Sequence, residues 1–232
     1  MSLLLLLVIY LLLLPQQLTP DHLESFLRFA NEPGLSVTYV WQDKCFQIDG
    51  RIPRHCRHKK TYYFVSHWDR EHVPRSPPRN VYCKDSPKVI ARFKKWDTIR
   101  DCPLSTEIQV IDHGQETMDS NDASRVFYFP RLGVLVLGDT HYRSQTRLRE
   151  ALAKKNLLPS LKWIILAQQG NRNAVNENFH RFFPGIWGGL VNSRTLRGIK
   201  KSRLHPRTRK VFSDGRKVLL DSKDWGNLIF EF

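Results

Sequence analysis

From Leu35 onward the apolar residues of this chain fall in runs too short to be helices. Leu35–Trp41, Cys45–Ile48, Thr61–Val65, Glu107–Ile111, Arg125–Phe129, Val134–Leu137, Trp163–Leu166 and Ile186–Val191 are each four to seven residues long. Runs of that length, bounded by Gly, Pro, Asn and Asp, fit strands, whereas a globular helix normally needs about ten residues or more. Pro130-Arg131-Leu132-Gly133 joins two of them as a hairpin turn, and Lys217–Leu220 with Asn227–Phe232 reads as a closing hairpin across Asp224-Trp225-Gly226. Two stretches carry helical signals. Gln145–Lys155 is one. Thr19–Asn31 is the other, with Thr19-Pro20-Asp21 as its start and Leu23, Phe26, Leu27 and Phe29 at near-helical spacing. Many strands with interspersed helices predict an α/β or α+β sandwich. Residues 73–80 (VPRSPPRN) hold three prolines and are excluded from any regular element.

The first residues stand apart. Ser2 to Leu14 are almost wholly Leu, Val, Ile and Tyr, ending at Pro15. The run falls short of the ~20 apolar residues of a spanning helix, no Lys or Arg precedes it, and no small-x-small cleavage site follows. It reads as a short membrane anchor, a signal-like segment, or the remnant of a longer membrane segment, the alternative being a buried apolar helix. The expected organisation is thus residues 1–18 as the apolar segment, 19–34 as an amphipathic helix or linker, and 35–232 as the folded domain.

Composition bounds the partners. The formal net charge is +15, with 37 Lys and Arg against 22 Asp and Glu. Such an excess favours polyanions, either nucleic acid or an anionic membrane surface. The four cysteines, Cys45, Cys56, Cys83 and Cys102, form no C-x-x-C pair, which argues against a zinc ribbon. Two disulfides are possible, in three connectivities; free thiols are the other reading.

Chemistry concentrates at strand ends. Ser66-His67-Trp68-Asp69-Arg70-Glu71-His72 directly follows the run Thr61–Val65 and places four potential metal ligands, His67, Asp69, Glu71 and His72, within six residues. Side chains converging from a rigid strand end are what a metal-assisted hydrolase needs, and imidazoles with carboxylates suit zinc or manganese. A solvated polar loop has the same composition. Gly138-Asp139 ends the run Val134–Leu137, and Asp49 ends Cys45–Ile48 before Gly50; each Asp reads either as a site residue or as a turn former. His205-Pro206 lies in a basic stretch, Arg194 to Lys210.

Taken in order, these motifs resemble the metallo-β-lactamase superfamily, and within it the C-terminal domain of the DNA-uptake competence protein ComEC. The carriers are strand-Asp49-Gly50, the His67-x-Asp69-x-Glu71-His72 cluster, Asn121-Asp122-Ala123-Ser124, strand-Gly138-Asp139 and His205-Pro206. The superfamily pattern is H-x-H-x-D-H after a strand; Asp69 stands at the second His, as in ComEC-like members, and Glu71 replaces the usual Asp. The family's His-His-Gly-Ser is here Gln168-Gln169-Gly170-Asn171, and an amide is a poor zinc ligand beside an imidazole.

The resemblance implies an αββα sandwich over about Leu35 to Phe232. It also implies one or two zinc or manganese ions held by His67, Asp69, Glu71, His72 and Asp139, with Asp49, Asn121 and Ser124 in support. Asp69 or Glu71 would orient the attacking water, and His205 would donate to the phosphate or leaving oxygen. The implied activity is a phosphodiesterase or nuclease acting in DNA uptake and natural competence. DNA would be held by Arg54, Arg57, Lys59, Lys60, Arg70, Arg197, Lys200, Lys201 and Arg203. The domain would lie on the outer side of the cytoplasmic membrane, either beside a channel carried on a separate chain or as a detached or degenerate copy. The competing expectation is a catalytically degenerate DNA-binding domain of the same fold, and a third is hydrolysis of a small ester, amide or thioester. Trp68 is a candidate for stacking on bases, and Trp187, among glycines and apolar neighbours, reads as a core residue.

Overall fold

A computed structural model of the protein describes residues 25–30, 35–67, 72, 81–85, 102, 106–111, 113, 124–193 and 204–231. The apolar run 2–14, the proline-rich stretch 73–80, and Trp68, Asp69, Arg70, Glu71, Asn121, Arg197, Lys200, Lys201 and Arg203 lie outside the described residues.

The described chain is a mixed α/β structure built on two six-stranded mixed sheets. The first sheet contains β1 (Ser25–Phe29), β2 (Val37–Trp41), β3 (Lys44–Ile48), β4 (Lys60–Phe64) and β5 (Cys83–Asp85), with β12 (Leu228–Glu231) beside β1. The second contains β6 (Gln109–Ile111), β7 (Val126–Phe129), β8 (Val134–Val136), β9 (Trp163–Ile165), β10 (Gly188–Val191) and β11 (Val218–Asp221), in that spatial order. Strands β3, β4 and β5 run parallel, as do β8 through β11.

Strand alternation decides the layers. Leu27, Phe29, Val37, Tyr39, Phe46, Ile48, Tyr62 and Phe64 of the first sheet meet Phe127, Phe129, Val134, Val136, Ile165 and Leu190 of the second in one buried cluster, so the sheets pack face to face. The residues between them in sequence point the other way. Tyr128, Leu135, Ile164 and Val191 pack beneath α1 (Gln145–Lys154), α2 (Phe179–Phe182) and α3 (Pro206–Asp214), which contribute Leu148, Leu152, Phe179, Val211 and Phe212. A short α4 (Ser222–Trp225) follows β11. Both glycines of β10 are explained by packing. A Cβ on Gly189 would stand 2.6 Å from the Phe212 ring, and one on Gly188 would stand 2.6 Å from the Trp163 ring and 2.5 Å from a β11 carbonyl.

Three expectations are corrected. Ser25–Phe29 is a strand, not part of a helix: Phe26 packs outward with Val40 and Cys45 while Leu27 and Phe29 face the inter-sheet core. Burial on both faces removes the polar alternation that marks a half-exposed strand, and the spacing then mimics a helix. The folded unit therefore includes Ser25–Phe29, ahead of the expected boundary at 35. The closing hairpin does not form, because β11 ends one sheet and β12 edges the other. Trp187 is 58% exposed and not a core residue. By contrast, the hairpin of β7 and β8 and the helix at Gln145 form as expected.

The four cysteines pair as Cys45–Cys56 and Cys83–Cys102. No helix among the described residues is long and apolar enough to cross a membrane.

Candidate metal centre

Three strand ends and one strand start meet at one edge of the sandwich. Asp49 follows β3, Ser66 and His67 follow β4, Asp139 follows β8, and Ser124 precedes β7. Parallel neighbours bring β3 and β4 to the same edge, and a backbone bond from Arg125 N–H to Ser66 C=O (2.8 Å) ties the two sheets together there. The carboxyl ends of parallel strands are the usual place for a ligand, because several loops leave the sheet together.

Asp49 is the fully buried anchor. Its φ of +52° and the +64° of Gly50 turn the chain sharply after β3. A Cβ at 50 would lie 2.6 Å from Ser36 Oγ, so the turn needs glycine for space as well as for φ. The Asp49 carboxylate accepts the Ser66 N–H (2.7 Å), the Ser66 hydroxyl (2.5 Å) and His72 Nδ1–H (2.8 Å). Behind it, Gln47 donates to the Asp49 carbonyl (2.5 Å) and accepts from Thr38 (2.6 Å), all in the buried interior.

These bonds fix the proton on each ring. An ionised carboxylate only accepts, so the single hydroxyl proton of Ser66 goes to Asp49. Ser66 Oγ, 3.0 Å from His67 Nδ1, then serves that nitrogen as an acceptor. Ser124 Oγ lies 3.2 Å from the same nitrogen. Both rings therefore carry their proton on Nδ1 when neutral, and both present the Nε2 lone pair to the same space. There the two Nε2 atoms each lie 3.6 Å from Asp139 Oδ2. His67 and His72 are almost wholly buried, Asp139 is 15% exposed, and one donor atom from each falls within 4.8 Å of the others. Asp139 is held in turn by its own N–H on Ser124 Oγ (2.9 Å). Gly138 makes that contact possible, since a Cβ there would sit 2.3 Å from Ser124 Oγ.

The charges around the site favour a cation there. Burial alone would lower the His72 pKa, but the charges of Asp139 and Asp49 outweigh it and raise it to about 10. Without metal, that cation is a proton on His72. Its Nε2 has no hydrogen-bond partner among the described residues, so a buried polar nitrogen is aimed at the centre of the cluster. Two imidazole nitrogens and one carboxylate oxygen form a donor set that could hold a metal ion.

The expected site residues separate as follows. His67, His72 and Asp139 come together, with Asp49 and Ser124 hydrogen-bonded around them; Asp69, Glu71 and Asn121 lie outside the described residues. His205 caps α3, its backbone N–H on the Gly170 carbonyl (2.9 Å) and its Nδ1 accepting Arg207 N–H (3.2 Å). Gln168 lies in a short 3-10 turn at the end of β9, Ala167–Gly170, with Gln169.

Among the expected DNA contacts, Arg54, Arg57, Lys59 and Lys60 lead back to the start of β4, and Lys60 pairs in register with Lys44, the first residue of β3. Lys59 and Lys60 are therefore at the edge opposite the histidines. Sequence reasoning missed Gln47, Thr38 and His113. His113 Nε2–H donates to the Ser124 carbonyl (3.1 Å) and so braces the residue that holds Asp139. A polar residue inside a strand or a lone histidine gives no local signal of such a role.

No known protein family matches the sequence, and a search of curated proteins returns no similar one.

Proposed function

We propose that this protein is a metal-dependent hydrolase of the metallo-β-lactamase type, related to the ComEC domain, that cleaves phosphodiester bonds of DNA. The observation that carries the reading is the convergence of His67 Nε2, His72 Nε2 and Asp139 Oδ2 from two sheets onto one point. The face-to-face stacking of two mixed sheets, with helices over the outer face of the second, supports the ββα part of an αββα sandwich. The net charge of +15 supports a phosphate-bearing substrate.

His67, His72 and Asp139 would hold zinc or manganese, which supplies a Lewis acid and a bound water of lowered pKa. Asp49 and Ser66 take up Nδ1 of His72 and His67, so Nε2 is the nitrogen each ring would offer a metal, and Ser124 holds the backbone N–H of Asp139. Asp69 and Glu71, by resemblance, complete the ligand set and orient the water. The two disulfides support an oxidising location, outside the cytoplasmic membrane.

A second reading, a DNA-binding domain without catalysis, is favoured by Gln168 and Gln169 where the family carries a histidine pair. Metal analysis of the purified protein, with His67→Ala and Asp139→Asn beside it, separates the two. The hydrolase holds at least one equivalent of zinc or manganese, loses it in both variants, and nicks DNA only when loaded. A metal-free wild type that still retains DNA refutes the hydrolase and leaves the binding domain.

A further inference from the structure

The edge of the sandwich opposite the histidines is built from the amino ends of β3, β4 and β8 through β11. Three cation–aromatic pairs sit on it. Lys60 Nζ lies 3.8 Å from the Tyr82 ring centre, the Arg131 guanidinium 4.2 Å from that of Trp41, and Lys162 Nζ 5.1 Å from that of Trp187. Their placement follows from register: Tyr82 N–H bonds the Thr61 carbonyl at the start of β4, and Trp187 N–H bonds the Lys162 carbonyl just before β9. Tyr82 is 51% exposed, Trp187 58%, and Val218, the first residue of β11, 47%. Large apolar groups left in water beside lysines call for a partner that takes both.

The same edge receives the chain. Ser25 opens β1 opposite Trp41, so β1 is entered here by a polypeptide whose residues 2–14 are almost entirely apolar in sequence.

We propose that this edge is the membrane-apposed surface of the protein, set against an anionic bilayer with the metal centre facing away from it. Amphipathic indole and phenol rings flanked by Lys and Arg suit the headgroup layer: the rings sit at the acyl boundary while the cations meet lipid phosphates and carboxylates. Nucleic acid fits less well. The ring faces of Tyr82 and Trp187 already carry their own lysines, which obstructs base stacking, and an exposed Val218 has no use for a base. The inference rests on packing and topology at this edge and is independent of the hydrolase reading.

The test is vesicle flotation of the full chain. Phosphatidylcholine vesicles are compared with vesicles that also contain phosphatidylserine. Each basic residue at an anionic surface strengthens binding by about 5-fold, so Lys60→Glu with Lys162→Glu weakens the phosphatidylserine-dependent part by at least about 25-fold. A control with the same charge change, Arg143→Glu with Arg209→Glu near the other edge, retains it. Trp187→Ala, which keeps every charge, lowers the salt-resistant part of binding and covers the case in which the double reversal fails to fold. Equal losses in both double variants would mean that net charge alone drives binding, and would overturn the proposal. Unchanged vesicle binding with loss of a single-stranded oligonucleotide from the Lys60/Lys162 variant would overturn it in favour of a nucleic-acid surface.

Discussion

Metal affinity at the His67, His72 and Asp139 cluster is predicted to rise steeply with pH, because metal and proton compete for one nitrogen. In the metal-free protein His72 holds its proton up to a pKa of about 10, with Asp49 at 2.8 Å from Nδ1 and Asp139 at 3.6 Å from Nε2. Binding at Nε2 must expel that proton. Below pH 10 each pH unit then strengthens binding tenfold, or about 1.4 kcal/mol. Between pH 6 and 8.5 the gain is about 300-fold, or about 3.4 kcal/mol. Asp49→Asn removes one of the two carboxylates that hold the proton. The pH profile should flatten at its upper end, while loss of the ring's orienting partner weakens absolute affinity by about 10- to 100-fold. Chelator competition with cobalt as a visible probe measures both constants across the range. A wild-type affinity independent of pH would show that His72 Nε2 is not a ligand, and an Asp49→Asn profile with unchanged slope up to about pH 10 would show that Asp49 does not hold the proton.

The same linkage governs stability without metal. The folded pKa of His72 is raised from 6.5, so its stabilising contribution is complete below about pH 6.5 and is lost as pH rises through 10. Chelated protein should melt at a lower temperature at pH 9.5 than at pH 6.5, and metal-loaded protein should not; an identical drop in both would remove His72 as the cause. Gly138→Ala puts a methyl group 2.3 Å from Ser124 Oγ at a φ of +58°; it should cost about 2 kcal/mol or more in urea denaturation and release metal, because Asp139 loses its seat. The Cys45–Cys56 bridge closes an 11-residue separation; replacing both cysteines by Ala should cost about 3 kcal/mol by the loop-entropy relation. Denaturant midpoints of that variant and of the wild type, both without reductant, check it, and a difference below about 0.5 kcal/mol would point to a loop already ordered without the bond.

Much of the strand framework was legible in the sequence because it is local. A four- or five-residue apolar run bounded by turn residues has few alternatives, and the residue that ends it must lie at a sheet edge. For that reason His67, Asp139 and Asp49 could be singled out before their neighbours in space were known. The helix at Gln145 and the turn at Pro130–Gly133 were legible on the same grounds.

Tertiary structure decided the remainder, because it depends on partners far away in the chain. Ser25–Phe29 becomes a strand since β12, some 200 residues later in the chain, pairs with one side of it and β2 with the other. The cysteine pairing joins a strand residue to a residue outside the strands in each case, Cys45 with Cys56 and Cys83 with Cys102, and needs the folded chain to bring them together. The proton positions on His67 and His72 depend on Asp49, Ser66 and Ser124, which come from three separate strand ends. A sequence can nominate ligands by residue type and spacing. Which nitrogen carries the lone pair, and which edge of the molecule it faces, are properties of contacts that exist only once both sheets have closed.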